Sequence, residues 1–593
     1  MPSVRFEISA CADEDVALLR AELGVRAATA QVLVRRGLRD PAAAAGFLSA
    51  SEEHSPERFA GIGEAVAAIL AHVHAGDAIT VHGDYDVDGI CSTAVLVRTL
   101  RALGAQVDTY LPDRSEGYGL SLATVRRLAA RGTRLLITAD CAITAVEEVR
   151  AARELGMTVV VTDHHAPRAD GVLPRAPLVH PALCGYPCAD LCATAVAYKL
   201  AQALLSAAGG DQRALRGDLD LVALATVADV VPLQGENRTL LARGLKALAG
   251  TSKPGLRALM AVAGLDQARV QERAIGFALA PRLNAAGRLY RADAGLELVL
   301  TEDAARAAQI AQELDGANHE RRQVERRIRF EAEAQIAELG ERAAYVLAAE
   351  SWHHGVIGVV ASRLVESSGR PVVMVALDGE RGRGSGRSVE SVDLLAGLTA
   401  CGHHLARFGG HRAAAGLEIE RGRIDDFADA LAAHVAGVVS PGPPLVLERV
   451  DATVGCEELT IELAEELQTL APFGRGNPAV CLMVEDARLR DVRAMGEGRH
   501  ARFTVQSQGG RARGVCFGQG ARLAVPEDAP ARATFALEVN EWNGVSEPRV
   551  VLRHVEALAP AVGEPPQPAA GPVREAAARI GPAGEEQLQL AIA

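Results

Sequence analysis

The sequence contains no apolar run approaching the ~20 residues that a membrane-spanning helix needs. Its first residues, Met1-Pro2-Ser3-Val4-Arg5-Phe6-Glu7, lack the pattern of a secretory signal. Both absences point to the cytoplasm. The ten cysteines follow no framework spacing, which argues against a disulfide-stapled fold and fits reduced thiols. One set, His180, Cys184, Cys188 and Cys192, recurs at four-residue steps and would share a helix face. Pro187 interrupts such a helix, and zinc pairs favour shorter Cys-x-x-Cys turns, so no metal is expected there. Positive charge is also short: 62 Lys and Arg stand against 75 Asp and Glu, a net charge of −13. The chain is therefore not coated in cations, and a nucleic-acid partner would need a local basic groove. Some of the acids could be metal ligands whose charge bound cations offset.

What is present is a long, ordinary globular composition. The 593 residues, 49% of them hydrophobic, imply about three to four domains rather than one core. The most informative stretch is Val81-His82-Gly83-Asp84-Tyr85-Asp86-Val87-Asp88-Gly89. Ala78-Ile79-Thr80-Val81 before it reads as a strand, and Ser92-Thr93-Ala94-Val95-Leu96-Val97 after it as a helix. Three acids and a histidine thus fall at the carboxyl end of a strand, where sites form in open α/β sheets. Carboxylates this close repel unless something neutralises them. Oxygen and imidazole donors together suit Mn²⁺ or Mg²⁺ better than Zn²⁺. A solvated acidic turn is the bland alternative. A calcium-binding EF-hand is another, but its twelfth position would be the apolar Val95, and a strand stands where its first helix belongs.

Along the rest of the chain, residues 1–50 carry helical periodicity and read as a small cap. From about 60 to 300, β-rich and helical runs alternate, implying βαβ units and a parallel sheet. Strands are expected at 78–81, 107–111, 135–138, 159–162 and 178–180. Apolar elements deliver Asp140, Asp163-His164-His165 and, from a helical stretch at 221–227, Asp229. A lone Asp after a strand is usually a helix cap. Several such acids at the ends of parallel strands would face one crevice and are expected to share a metal site.

In order, Asp84-Tyr85-Asp86-Val87-Asp88-Gly89, Asp140, Asp163-His164-His165 and Asp229 resemble the four motifs of the DHH phosphoesterase superfamily. Supporting runs are Pro112-Asp113-Arg114-Ser115-Glu116-Gly117-Tyr118, Ala228-Asp229-Val230-Val231-Pro232-Leu233 with Glu236-Asn237-Arg238, and Ala280-Pro281-Arg282-Leu283-Asn284-Ala285-Ala286-Gly287-Arg288. Within that superfamily the chain is similar to the RecJ family of single-strand-specific exonucleases. Residues 301–342 read as one long solvated helix joining two domains. Downstream, Trp352-His353, Ser362-Arg363, Gly384-Ser385-Gly386-Arg387-Ser388 and Gly409-Gly410-His411 describe a phosphate cradle, with glycines for close backbone approach and Arg and Ser as donors. This segment resembles the DHH-associated domain. Residues 441–558 alternate like strands and contain Pro472-Phe473-Gly474-Arg475-Gly476-Asn477-Pro478, resembling the family's OB-fold, a single-strand-binding barrel.

The resemblance implies an α/β fold: a DHH-type parallel-sheet domain (51–300), a connecting helix (301–342), a DHH-associated α/β domain (343–440), an OB-fold β-barrel (441–558) and a disordered tail (559–593) after the helical cap (1–50). It implies hydrolysis of single-stranded DNA, 5′ to 3′, in repair and recombination. Two divalent cations, Mn²⁺ or Mg²⁺, would sit roughly 3.5–4 Å apart. His82, Asp86 and Asp140 would hold one, and Asp88, Asp140, His164 and Asp229 the other. His165 would contact the scissile phosphate or assist the leaving group, while Asp84 and Asp163 would orient the ligands. Arg114, Tyr118, Arg282, Asn284, Arg288, Ser362, Arg363, Ser385, Arg387, Ser388, His411, His500 and Arg502 would touch nucleic acid, with Phe517 and Trp542 as stacking candidates. A monomer is expected, with single-strand-binding protein or a helicase as protein partners. Two departures stand out. His500-Ala501-Arg502 replaces the usual His-Leu-Lys and keeps its charge, and Ala142 stands where a glycine is usual, which questions the turn after Asp140. The alternatives are a nano-RNase or nucleotide phosphatase of the same superfamily, a manganese pyrophosphatase, and a non-catalytic single-strand-binding scaffold. The first two have no use for an OB segment, and the last predicts missing ligands.

Overall fold

The computed structural model of the chain describes residues 3–113, 117–289, 291, 293–438, 445–518, 520, 523–542 and 544–558. They form two compact units, one of residues 54–231 and 240–444, the other of 3–53, 232–239 and the chain from 445 onward. The segment expected as a purely helical cap opens with a strand, β1 (Ser3–Ile8), before helices α1 (Asp13–Leu23), α2 (Ala27–Arg35) and α3 (Pro41–Ser49). Val4-Arg5-Phe6-Glu7-Ile8 alternates apolar and polar, the period of a strand rather than a helix.

In the first unit, α4 (Ile62–Ala75) leads into a five-stranded parallel sheet of β2 (Ile79–His82), β3 (Val107–Tyr110), β4 (Leu135–Ala139), β5 (Thr158–Thr162) and β6 (Leu178–Val179). The spatial order is β3-β2-β4-β5-β6, and every pairing is parallel. β2 and β4 are buried along their whole length, as strands covered on both faces must be. One layer is α6 (Leu122–Ala130) and α7 (Val146–Glu154), whose Val125, Leu128 and Val149 pack with Leu136, Val159 and Val161. Elsewhere α5 (Val87–Ala102) packs against α8 (Ala193–Ala207) and α9 (Leu219–Ala228). These three helices are buried on nearly every side, as elements enclosed by protein are. A parallel sheet puts all its carboxyl ends on one edge, so β2, β4 and β5 deliver the acidic motifs to the same place.

Helix α10 (Ala280–Leu289) packs on α11 (Ala304–Leu339), which at 36 residues is about 54 Å long. Asp303 caps α11 by accepting from the Ala305 N–H at 2.8 Å. The expectation of a wholly solvated helix needs correction: Arg321 and Glu325 are buried with Ile310, Leu314 and Ile328. A second sheet follows, of β7 (Tyr345–Ala349), β8 (Val372–Asp378), β9 (Arg381–Arg387), β10 (Leu405–Gly410) and β11 (Ala414–Glu420), ordered β10-β11-β9-β8-β7. Helix α12 (His354–Ser368) packs on β8 and β9. Gly384-Ser385-Gly386-Arg387 therefore lies in a central strand and not in a loop. Its glycines make room for neighbours: a Cβ at Gly384 would lie 2.6 Å from Leu417 Cδ1.

The second unit is built on β12 (Leu445–Val450), β13 (Ala452–Thr453), β14 (Leu482–Met495), β15 (His500–Ser507), β16 (Gly510–Cys516), β17 (Ala531–Trp542) and β18 (Val545–Ala557). Strands run in the order β14-β15-β16-β18-β17, and β17 pairs back with β14, closing a five-stranded barrel. β1 pairs in parallel with β12, and Leu19, Leu33 and Ala44 of the N-terminal helices share one core with Leu482, Val505 and Phe535 of the barrel. Among the described residues no helix is long and apolar enough to cross a membrane. The tail, 559–593, lies outside the described residues.

Candidate metal centre

The loop after β2 turns sharply because Gly89 has no side chain: a Cβ there would sit 2.5 Å from the backbone N and O of Asp84. Asp86 caps α5, its Oδ1 accepting from the N–H groups of Asp88 (3.0 Å) and Gly89 (3.1 Å). Asp88, on the first turn of α5, is held by the start of α8. Its Oδ2 accepts from Ala193 N–H at 2.7 Å, and its Oδ1 from the N–H and hydroxyl of Thr194 at 2.7 and 2.6 Å. After β4, Asp140 adopts φ +68° and Ala142 φ +84°. The residue that stands in place of the usual glycine is thus held in the left-handed region.

Asp163, after β5, is enclosed by donors. Its Oδ1 accepts from the backbone N–H groups of His164 (2.7 Å) and His165 (3.1 Å) and from His165 Nδ1 (2.8 Å), and its Oδ2 from Ile143 N–H (2.8 Å). Burial alone would raise its pKa, but the hydrogen bonds and charge of His165 with the backbone donors hold it below the usual carboxylate range. Burial works against the His165 cation too, yet the Asp163 hydrogen bond and charge, with Asp229 and Asp88 beyond, push its pKa up to about 9. Tyr118 donates its hydroxyl to the Asp140 carbonyl at 3.0 Å and lies 3.0 Å from His165 Nδ1.

The acids and imidazoles meet. Ligand atoms of Asp84, Asp86 and Asp140 lie within 4.8 Å of one another, as do those of Asp88, His164 and Asp229, and those of Asp140, His164 and His165. His164 Nε2 is 3.3 Å from Asp140 Oδ1 and 3.7 Å from both Asp88 Oδ2 and Asp229 Oδ2. Asp229 arrives at the end of α9, with its N–H bonded to Ala225 O. Asp140 Oδ1 and His164 Nε2 are buried and take part in no hydrogen bond. Two such atoms side by side are costly in a dry protein. Burial first, then the neighbouring Asp88, Asp86 and Asp84, drive the Asp140 pKa well above the usual range. Burial lowers that of His164. A divalent cation answers both needs, giving the orphaned atoms a partner and the carboxylates a counter-charge. The oxygen-rich donor set with one or two imidazoles fits Mn²⁺ or Mg²⁺. His82 stands outside these three groups: it is buried, with Nδ1 3.5 Å from Cys141 Sγ. Asp84, expected to orient the ligands, brings a carboxylate oxygen within 4.8 Å of those of Asp86 and Asp140.

His180 is a contact that sequence reasoning missed. Its Nδ1 accepts from Leu183 N–H at 3.2 Å, so its Nε2–H donates to the His165 carbonyl at 2.8 Å. It follows β6 directly, the same strand-then-polar signal that marked the other motifs. Thr194 gave no comparable signal.

The predicted nucleic-acid contacts divide. Ser362, Ser385 and Arg387, with His354, Gly355 and Gly358, line a cavity of about 310 Å³ at the start of α12. Arg387 Nη1 is tied to Ser385 Oγ (3.0 Å) and the Gly386 carbonyl (2.8 Å), and burial lowers its pKa. Ser388 bonds Val392 O, and His411 is exposed in the turn between β10 and β11. Three expected contacts have partners within the protein. Arg282 is buried, with Nε on Asp315 and Nη1 on Ala278 O, both at 2.8 Å. Arg363 pairs with Glu325 at 2.5 Å. Asn284 Oδ1 accepts from the Val87 N–H at 3.1 Å, bracing the start of α5. In the barrel, His500 Nδ1 accepts from Gly518 N–H at 3.1 Å, edge-on to Phe517, while Arg502 is exposed. Arg114 and the side chains of Arg288 and Trp542 lie outside the described residues.

Three family models match the chain: the DHH family N-terminal domain over residues 78–226, the DHHA1 domain over 340–437 and the RecJ OB domain over 450–554. Single-stranded-DNA-specific exonuclease RecJ of Bacillus subtilis is 35% identical over 93% of this chain and 70% of its own length. The Escherichia coli protein of the same name is 35% identical over 84% of this chain and 91% of its own. The crystal structure of RecJ with Mn²⁺ from Thermus thermophilus superimposes with a TM-score of 0.83 at 32% identity, over 94% of this chain and 80% of that one. Similarity at this level over most of the chain, with DHH, DHHA1 and RecJ OB domains in that order, places the chain in the RecJ family.

Proposed function

We propose that this protein is a metal-dependent exonuclease that hydrolyses single-stranded DNA, with 5′-to-3′ polarity carried over from family likeness. The observation that carries the reading is the junction of Asp140 Oδ1 and His164 Nε2, two buried polar atoms 3.3 Å apart with no hydrogen bond. They sit among the carboxylates of Asp84, Asp86, Asp88 and Asp229. Relatives of this chain carry the name of single-stranded-DNA-specific exonuclease, and one was crystallised with Mn²⁺.

Asp86, Asp140 and His82, with Asp84 within reach, would hold one cation. Asp88, His164, Asp229 and the shared Asp140 would hold the other. When bound, divalent cations supply a water nucleophile near neutral pH and charge for the phosphoryl oxygens. The chain's own residues do the rest. Asp163 spends its oxygens on four donors and so fixes the two histidines. His165 keeps its Nδ1 on Asp163, which leaves its Nε2 for a phosphoryl or leaving oxygen. Tyr118 braces the Asp140 backbone. Ser362, Ser385 and Arg387 would take a phosphate in the cavity at the start of α12, where that helix's N-terminal N–H groups favour an anion. Degradation of end-labelled oligonucleotides tests the reading. Mn²⁺-dependent loss of the single strand, with the duplex spared and EDTA abolishing turnover, is expected. Equal attack on both forms, or turnover in EDTA, would overturn it.

A further inference from the structure

We propose that Thr194 is a positioning residue for the metal centre: its hydroxyl fixes the Asp88 carboxylate so that Asp88 offers a cation one oxygen, Oδ2. Thr194 acts in this way only if Asp88 is a ligand, as proposed above.

Asp88 is 2% exposed and faces the first turn of α8. No side chain of α8 caps that end; Cys192 occupies the cap position without a side-chain hydrogen bond. The Asp88 carboxylate fills the role from another element, taking the N–H groups of Ala193 and Thr194 at 2.7 Å each. These two N–H groups stand at the open end of a 15-residue helix and would otherwise lack an acceptor. The Thr194 hydroxyl adds a third donor. Its oxygen is 2.6 Å from Asp88 Oδ1 and 3.0 Å from the Asp88 carbonyl. A hydroxyl has one proton, and the nearer acceptor, the carboxylate oxygen, takes it.

Counting lone pairs gives the consequence. Oδ1 has two, and Thr194 N–H and O–H occupy both. Oδ2 spends one on Ala193 N–H and keeps one. That oxygen is the one facing His164 Nε2, 3.7 Å away, in the group with Asp229. Bidentate binding by Asp88 would cost a hydrogen bond from Thr194, so the threonine sets both the direction and the denticity of the ligand. Neither Cys192, Ala193 nor Ala195 carries a hydroxyl, so no neighbour at this end of α8 can replace it.

The test is calorimetric titration of Mn²⁺ into the full chain, without DNA. Thr194→Val keeps the branched shape and removes the donor, and Thr194→Ser restores the donor without the methyl. Thr194→Val is expected to weaken one class of Mn²⁺ site about tenfold, the loss typical of removing a group that orients a metal ligand. Thr194→Ser should stay close to the parent. Where Thr194→Val does not fold, Thr194→Ala against Thr194→Ser gives the same comparison. Unchanged affinity without the hydroxyl would overturn the role of Thr194, as would a serine variant as weak as valine, because packing would then be the cause. A parent chain that binds no Mn²⁺ would overturn the metal centre itself and the threonine's role with it. Parent binding that Asp229→Asn weakens and Thr194→Val does not would remove the threonine's role alone.

Discussion

At the scale of single residues, hydrogen-bond accounting separates acids that sequence alone leaves alike. Asp140 and Asp163 both end buried strands. Asp163 has four donors within 3.1 Å, whereas Asp140 Oδ1 has none. Asp140→Asn is therefore expected to reduce DNA hydrolysis to background while single-strand binding, measured by fluorescence anisotropy, persists. Full turnover by that variant would refute its assignment. Ala142 gives a prediction about stability instead. Its φ of +84° is sterically unfavourable for any side chain, so Ala142→Gly should raise the unfolding free energy by roughly 0.5 kcal/mol, the strain relieved less glycine's greater unfolded-state entropy. A denaturation midpoint that falls would show that the turn is not strained. His180→Ala, which removes the donor to the His165 carbonyl, should lower kcat about tenfold with KM little changed, as expected for a group that orients a catalytic one. Recovery by His180→Gln, which restores an N–H, would separate this from a packing loss.

At the scale of elements, the motifs were legible and their uses less so. Strand then acid is a local pattern, so Asp86, Asp140 and Asp163 could be read from apolar runs that stop at a charge. The fate of the arginines depends on partners far away in sequence. Arg363 looks like a phosphate ligand beside Ser362, but Glu325 on α11 takes it, and Arg321 takes the other oxygen of Glu325 at 2.6 Å. Glu325→Ala would leave Arg321 buried without its counter-charge and should destabilise the chain by about 3 kcal/mol in chemical denaturation. A loss below about 0.5 kcal/mol would mean that water already serves Arg321. Glycines mislead in the same way. Gly384 and Gly386 suggest a loop that cradles an anion, yet they lie in β9 because Leu417 and Leu394 fill the space a Cβ would need. Likewise Asn477, in the Pro-Phe-Gly-Arg-Gly-Asn run, donates to the carbonyls of Leu470 and Pro472 at 2.8 Å, and buried Arg238 donates to those of Leu470 and Ala471. That run is a clasp within its own unit, a role that no residue type in it announces.

For the molecule as a whole, fold class and domain order could be read because each layer carries its own period: alternating βα runs, a long polar helix, then short strands. The N-terminal segment was misread in part because a six-residue strand is too short to outweigh the helices that follow. Its share in the barrel's core could not be read at all, since it depends on contacts more than 400 residues apart in sequence, such as Gln31 with Thr453. On the proposed reading, four separated segments, ending in Asp86 and Asp88, Asp140, His164 and Asp229, would build one centre for two cations. The most direct test is the stoichiometry of Mn²⁺ bound by the full chain, followed by electron paramagnetic resonance. Two ions per chain with mutual spin coupling, both weakened by the single change Asp140→Asn, is the predicted result. One isolated ion, or two that Asp140→Asn leaves untouched, would contradict it.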